Sequence, residues 1–222
     1  MNRRDLIKTA PFALAGAAGL WWYGTRSTED GPNLAAAMAQ DAATVDTSGV
    51  AEMSLGNPDA KVTVIEYASY TCPHCKNFHD TVFKDLKKNY IDTGKINFIY
   101  REVYFDRFGL WAAMVARCGG EMRYFGIADM IYETQKDWVA DGDPALVAEN
   151  LRKIGKKAGL SDAELDACMN DGENAKALVA AYQKNAEADG VNSTPTFRIN
   201  GEEYSNMNYA DFSAILDKKL AE

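Results

Sequence analysis

The chain has 222 residues, a formal net charge of −8 at pH 7 and a hydrophobic fraction of 47%. A chain of this length can bury a core without staples, so its four cysteines do not suggest a disulfide scaffold. The acidic balance, with no dense Lys/Arg cluster in the body of the chain, argues against a nucleic-acid-binding surface. We expect one globular domain, with an insertion and terminal extras.

The first 24 residues have the pattern of an export signal. Basic residues come first, and an uncharged run of about fifteen residues follows them. That run is shorter than the roughly 20 residues of a membrane span. The Arg3-Arg4 pair favours a twin-arginine signal, with an ordinary secretory signal as the alternative. Ala37-Met38-Ala39 offers a cleavage site after residue 39. Export would place the cysteines in an oxidising compartment.

Residues 25–49 are rich in small and polar side chains without an apolar period, which predicts a linker. The folded part is expected to begin near Val50. Residues 61–67, KVTVIEY, predict a buried central strand, and a helix with one apolar face follows Pro73. The segment KINFIYREVYF, residues 95–105, predicts a second strand. This order indicates a βαβ crossover with a parallel strand pair.

The sequence CPHC at residues 72–75 lies at the junction of the first strand and its helix. Cys72 falls near the N-cap position, where unpaired backbone N–H groups and the helix dipole stabilise a thiolate. We therefore expect the pKa of Cys72 to lie well below the free value of about 8.5. Cys75, one turn later, is placed to attack a mixed disulfide formed at Cys72, and His74 could add a positive charge or a hydrogen bond.

Other uses of a CxxC motif fit this sequence less well. Haem attachment requires a histidine where the chain has Lys76. A zinc site requires four ligands, and Cys72, His74, Cys75 and His79 cannot all point inward from one short helix. We interpret His79 as a surface or core-edge residue. An inert structural disulfide remains open, although the helix start favours redox chemistry.

Two features further along the chain bear on this site. Glu66 lies in the middle of the apolar strand, where burial of a carboxylate is costly unless it has a task. It is either a buried acid that exchanges protons with Cys75 or a solvent-facing residue of an edge strand. Thr194-Pro195 precedes a short strand, and its peptide bond could be cis, although a trans bond is the general rule.

The segment 108–188 contains apolar residues at helical spacing and no convincing strand. Asp143-Pro144 predicts a helix start, and Ser161 to Glu164 predicts a capping box. Beyond Pro195, Asn200-Gly201 predicts a hairpin, which a final helix follows from Tyr209 to Leu220. Helices therefore separate a βαβ half from a ββα half.

Glu66, CPHC, the long helical segment and STPTFRING at residues 193–201 together resemble the DsbA family of exported thiol:disulfide oxidoreductases. The resemblance covers residues 50 to 220. It implies an α/β thioredoxin fold over residues 50–106 and 189–222, with an all-helical domain inserted at residues 107–188. It also implies a redox-active centre of Cys72, Pro73, His74 and Cys75, with Glu66 as the buried acid. Thr194 and a cis Pro195 would contact substrate.

Cys118 and Cys168 lie in the helical segment. In an oxidising compartment we expect them to form a structural disulfide, and a second redox pair that relays electrons is the alternative. Neither cysteine lies in a CxxC motif or an activating site.

The resulting hypothesis is a periplasmic dithiol oxidase that introduces disulfides into reduced exported proteins. Family resemblance implies reoxidation by a DsbB-like membrane quinone oxidoreductase. The sequence contains no phosphate-binding glycine loop, so it does not indicate a soluble cofactor. We expect a monomer. The segment before Val50 is too short and too polar to build a separate dimerisation domain, which counts against a disulfide isomerase. The best-known oxidases of the family have valine at the position of Thr194, and threonine is also common in related isomerases. A disulfide isomerase or reductase therefore stays the alternative function within the enzyme class. A metal-binding or metal-delivery protein is the alternative from another class.

Overall fold

The structure is a computed structural model, and it describes residues 44–222. The predicted export signal, most of the predicted linker and the cleavage site after residue 39 lie outside the described residues. No helix of residues 44–222 is long and apolar enough to cross a bilayer.

A five-stranded mixed sheet holds the fold together, in the order β1-β3-β2-β4-β5. The strands are β1 (Met53–Gly56), β2 (Val62–Ala68), β3 (Ile96–Glu102), β4 (Thr196–Ile199) and β5 (Glu202–Ser205). β2 and β3 are parallel, as the βαβ pattern predicts, and the other pairs are antiparallel. β2 is therefore the central strand, which accounts for its β-branched, apolar sequence.

The helix that follows β2, here called α1, runs over residues 73–91. It begins as an α-helix, Pro73–Phe78, and continues through the segments His79–Phe83, Lys84–Leu86 and Lys87–Ile91, the first and third of which are π-helical. Buried Phe78, Val82, Leu86 and Tyr90 recur every four residues. Such a spacing drifts by about 40° per step on a 3.6-residue helix. The wider π turns offset this drift and keep one face against the sheet.

The described chain forms only helices between β3 and β4. They are α2 (Arg107–Cys118), α3 (Gly120–Glu133), α4 (Gln135–Val139), α5 (Pro144–Lys157), α6 (Asp162–Met169) and α7 (Gly172–Ala188). Asp143 caps α5 with Pro144 in its first turn, and the predicted capping box of Ser161 and Glu164 begins α6. A disulfide joins Cys118, at the end of α2, to Cys168 in α6, as expected.

The hairpin and the last helix also follow the sequence pattern. Asn200 and Gly201 both have positive φ, of 48° and 84°, which suits the tight turn between β4 and β5. The last helix, α8, spans Tyr209–Ala221 and buries Phe212 and Leu216. The described chain is thus an α/β fold in which helices separate β3 from β4, as the sequence predicts.

Two expectations about strands need correction. The sequence pattern does not predict β1, because its apolar alternation, Met53 and Leu55, covers only two residues and is too short to mark a strand. Gly56 ends β1 with a φ of 91°, and a Cβ there would overlap the Ile96 carbonyl oxygen. The second predicted strand also ends earlier, at Glu102, because Asp106 caps α2 by accepting hydrogen bonds from the N–H groups of Phe108 and Gly109.

Candidate active site

Cys72 occupies the N-cap of α1, with extended backbone angles (φ −78°, ψ 120°), and Pro73 fills the first helical position. Its side chain is largely buried, and as a thiol its Sγ donates to the Thr194 carbonyl oxygen 3.6 Å away. The pKa of Cys72 is lowered to about 5, first because the Cys75 thiol hydrogen-bonds to its sulfur. The Thr194 hydroxyl, which is free to donate once Cys72 is a thiolate, and the backbone N–H groups of His74 and Cys75 lower it further, and burial opposes them. A thiolate therefore predominates at neutral pH.

Cys75 has the opposite environment one turn into the helix. It is fully buried, and loss of hydration is the main reason that its pKa is raised far above the ordinary thiol value. The hydrogen bond to Cys72 and the negative charge of Glu66 raise it further. The pair thus consists of a stabilised thiolate and a proton-retaining thiol, the combination that makes Cys72 the better leaving group.

Glu66 lies on the central strand β2, opposite Tyr100 of β3 and Phe197 of β4. The edge-strand alternative is therefore wrong, and the side chain is completely buried. Neither carboxyl oxygen has a hydrogen-bond partner among residues 44–222. An unpaired buried carboxyl is costly, so the strand carries this residue at the expense of stability.

The expectation that His79 is a surface or core-edge residue is wrong. Its side chain is only 5% exposed, and its ring stacks on Tyr132 with centroids 4.1 Å apart. Its Nε2 lies 3.3 Å from Glu66 Oε2. The direction is too poor for a hydrogen bond, so both ring nitrogens are unpartnered within the described chain. His79 precedes the buried Val82 and Phe83 by three and four residues, a spacing that places it on the inward face of the helix.

Thr194 and Pro195 face the cysteines from the loop before β4, and the peptide bond between them is cis. Pro195 is buried, and the buried Thr194 hydroxyl has no hydrogen-bond partner among the described residues. Pro73 and His74, in contrast, are exposed. His74 contributes its backbone N–H to the low pKa of Cys72, and the two roles expected for its side chain stay predictions.

Sequence reasoning missed Gln135, a buried residue at the start of α4. Its Nε2 donates to the carbonyl oxygens of Tyr70 and Cys72, at 2.8 and 3.0 Å. Asp106 acts from α2 in a similar way, because it accepts from the Thr71 hydroxyl at 2.7 Å. The helical segment thus holds the loop that carries Cys72. The sequence carries no signal for this role, because the neighbours of Gln135, Thr134 and Lys136, are polar as well.

Comparison with known proteins follows this geometry. The sequence model of the thioredoxin family matches residues 48–218. The chain belongs to this family. The crystal structure of Wolbachia pipientis alpha-DsbA1 superposes with a TM-score of 0.71 at 28% identity, covering 81% of this chain and 94% of that one. The resemblance to DsbA proteins within the family is thereby confirmed.

Two sequence relatives carry names that describe disulfide chemistry. A Rickettsia bellii protein named as a protein-disulfide oxidoreductase is 36% identical over 172 residues, which are 77% of this chain and 65% of that protein. Disulfide bond formation protein D of Bacillus subtilis is 25% identical over 186 residues, covering 75% of this chain and 76% of the relative. The chain thus spans slightly less than two thirds of the length of the Rickettsia relative.

The low pKa of Cys72 predicts how the stability of the reduced protein depends on pH. The folded value of about 5 lies below the ordinary 9.0, so this stabilisation is full above pH 9 and disappears as the pH falls through 5. Between pH 7 and pH 4 we expect the free energy of unfolding of the reduced protein to fall by about 2–3 kcal/mol more than that of the oxidised protein.

Denaturant titrations of both redox forms measure this difference. The reduced Cys72→Ser variant is the control, because it keeps the fold and Cys75 but loses the titrating thiolate. Its excess pH dependence should vanish. Parallel curves for the reduced and oxidised native protein would contradict a stabilised thiolate at Cys72.

Proposed function

We propose that this protein is a thiol:disulfide oxidoreductase that oxidises pairs of thiols in reduced proteins through its Cys72–Cys75 disulfide. The observation that carries the proposal is the placement of Cys72 at the start of α1, against Thr194 and the cis Pro195, with Cys75 buried behind it. The substrate thiolate can reach the Cys72 sulfur, whereas the Cys75 sulfur is fully buried.

The proposed reaction has two exchange steps. A substrate thiolate attacks Cys72 Sγ, the Cys72–Cys75 bond breaks, and Cys75 leaves and takes up one proton. A second substrate thiolate then attacks the substrate sulfur of the mixed disulfide, and Cys72 leaves as a thiolate. The substrate loses two electrons and two protons, and the enzyme gains two electrons. One proton remains on Cys75 and the other enters solvent, since Cys72 stays ionised at neutral pH.

Electron flow out of the enzyme requires a second partner. Resemblance to DsbA proteins supports reoxidation by a DsbB-like membrane quinone oxidoreductase, and proteins with reduced cysteines are the proposed substrates. The basic and apolar pattern of residues 1–24 supports an exported, periplasmic location, and we propose that the protein acts there as a monomer. No step of the exchange calls on a metal or a soluble cofactor.

The reduction potential of the Cys72–Cys75 pair, equilibrated with glutathione and read by mass after alkylation, tests the direction of the reaction. We expect a value above about −200 mV, because the reduced form is stabilised, against about −270 mV for thioredoxin. A value near that of thioredoxin would rule out the oxidase and favour a reductase or isomerase. Oxidation of a reduced two-cysteine peptide by stoichiometric enzyme provides the direct assay.

A further inference from the structure

A small cleft leads from solvent to the underside of the active site. It has a volume of about 70 Å³, and its wall includes the buried His79 and Tyr132. Asp129 of α3 also lines it and is itself exposed. A space of this size has room for one or two water molecules, and the charged side chains of Lys84, Lys87 and Asp129 on its wall offer them polar partners. His79 lines it from the inside, and its Nε2 lies 3.3 Å from Glu66 Oε2.

The unpartnered nitrogens of His79 need an explanation. The imidazole ring lies between the rings of Tyr132 and Phe83, with centroid distances of 4.1 and 4.6 Å, so packing fixes its plane. Packing alone would be served equally well by phenylalanine, without the cost of two buried nitrogens that lack hydrogen bonds within residues 44–222. A histidine that meets a buried carboxyl on one side and a cleft on the other is placed to exchange protons with both.

We propose that His79 transfers protons between the Glu66 carboxyl and the cleft, where Asp129 exchanges them with solvent. This inference rests on the proposed function, for which Cys75 must gain a proton when it leaves Cys72. His79 is a positioning residue in this scheme, because it acts on Cys75 only through Glu66. Asp129 suits the outer position, since the partial loss of water around its carboxyl raises its pKa and the charge of His79 opposes that rise.

The protons balance along this route. When the Cys72–Cys75 bond breaks, Cys75 takes the proton of a protonated Glu66. Glu66 is then reprotonated by His79, and His79 by Asp129 in the cleft, which takes its own proton from solvent. The reverse sequence removes the proton when Cys75 attacks a mixed disulfide. No electrons pass along the route, which serves only the acid–base part of the exchange.

Several charged or titratable groups surround His79 and would shape its response to pH. Glu66 faces it from β2 and Tyr100 from β3, while Tyr132, Asp129 and Glu133 belong to α3 and Asp80, Lys84 and Lys87 to α1. The Lys84 ammonium lies 3.9 Å from the Glu133 carboxylate, measured from Nζ to Oε1. The lysines oppose a positive charge on His79 and the carboxylates favour it, so charges of both signs lie around the ring.

The test is the His79→Phe variant, which keeps an aromatic ring between Tyr132 and Phe83 and removes both nitrogens. Stopped-flow reduction of the Cys72–Cys75 disulfide by glutathione, from pH 5 to 9 in H₂O and D₂O, reports the step in which Cys75 gains its proton. We expect the rate to fall by roughly 10-fold, less than the roughly 100-fold or more of a lost acid–base group, because Glu66 remains. The solvent isotope effect should rise, and the pH profile should lose one inflection.

Phe83→Leu is the matched control, because it disturbs the other wall of the same ring without touching a proton-carrying atom. It should alter stability and leave the pH profile and isotope effect unchanged. Asp129→Asn changes only one exposed side chain, so we expect this variant to fold like the native protein. It should slow the reaction in dilute buffer and regain speed as imidazole buffer is added.

The outcomes separate this inference from the proposed function. If His79→Phe and Asp129→Asn keep the native pH profile and isotope effect, the route is overturned, and Asp129→Asn alone decides the matter if His79→Phe does not fold. Glutathione exchange needs no oxidase activity. Failure of the native protein to oxidise a two-cysteine peptide would therefore count against the proposed function and leave the proton measurement intact.

Discussion

Replacing Glu66 by leucine should slow reduction of the Cys72–Cys75 disulfide by about 100-fold or more, the range typical of a lost acid–base group. The same change should raise the free energy of unfolding by about 1–3 kcal/mol, because it removes a buried carboxyl that has no hydrogen bond. A variant that is both more stable and less active would identify Glu66 as a residue retained for its chemistry.

Glu66→Gln separates the two effects. It keeps the shape and polarity of the side chain but cannot hold an exchangeable acid proton, so the rate should fall as in Glu66→Leu without the gain in stability. Stopped-flow exchange with glutathione and denaturant titration of the reduced protein measure both quantities. Native exchange rates in Glu66→Gln would show that Cys75 obtains its proton elsewhere.

The second large effect concerns the disulfide between Cys118 and Cys168. Replacing both cysteines by alanine should lower the free energy of unfolding by about 4 kcal/mol in the chain-entropy model, because the bond closes a loop across 50 residues. Equilibrium unfolding in urea, with Cys72 and Cys75 reduced in both proteins, measures the difference. A small change would mean that the unlinked chain already restricts this loop.

This variant also tests whether the disulfide is a second redox pair. Cys118 is the last residue of α2, whereas Asp106, at the start of that helix, binds Thr71 next to the active site. At 1.5 Å per residue the two ends of α2 are about 17 Å apart. Cys118 thus lies far along the helix from the end that contacts the active-site loop. A structural bond should leave the reduction potential of Cys72–Cys75 and the exchange rate with glutathione unchanged. A marked shift in either would favour electron relay between the pairs.

Local signals in the sequence predict much of the fold and of the site. Pro73 after a β-branched strand predicts Cys72 at a helix start, and Asn200-Gly201 predicts the hairpin, because each depends on backbone preferences of a few neighbouring residues. Glu66 stands out because a charge interrupts an apolar strand. The family resemblance added the partners that lie far away in the chain, above all Thr194 and Pro195.

The rest depends on tertiary contacts with weak local signals. β1 is a four-residue edge strand, and the alternation of Met53 and Leu55 is too short to distinguish it from a loop. Gln135 binds carbonyl groups more than sixty residues earlier in the chain, which no spacing rule predicts. His79 was judged by its polarity, although its position relative to Val82 and Phe83 indicated the inward face.

The separation of 122 residues between Cys72 and Thr194 has a consequence for the newly made chain. A ribosome completes the CPHC segment long before it reaches β4, so for most of synthesis Cys72 lacks the Thr194 contact. Until then one of the groups that lower the pKa of Cys72 is missing. The complete redox site therefore forms only after β4 has been made and has joined the sheet, so the full reactivity of Cys72 depends on the C-terminal part of the chain.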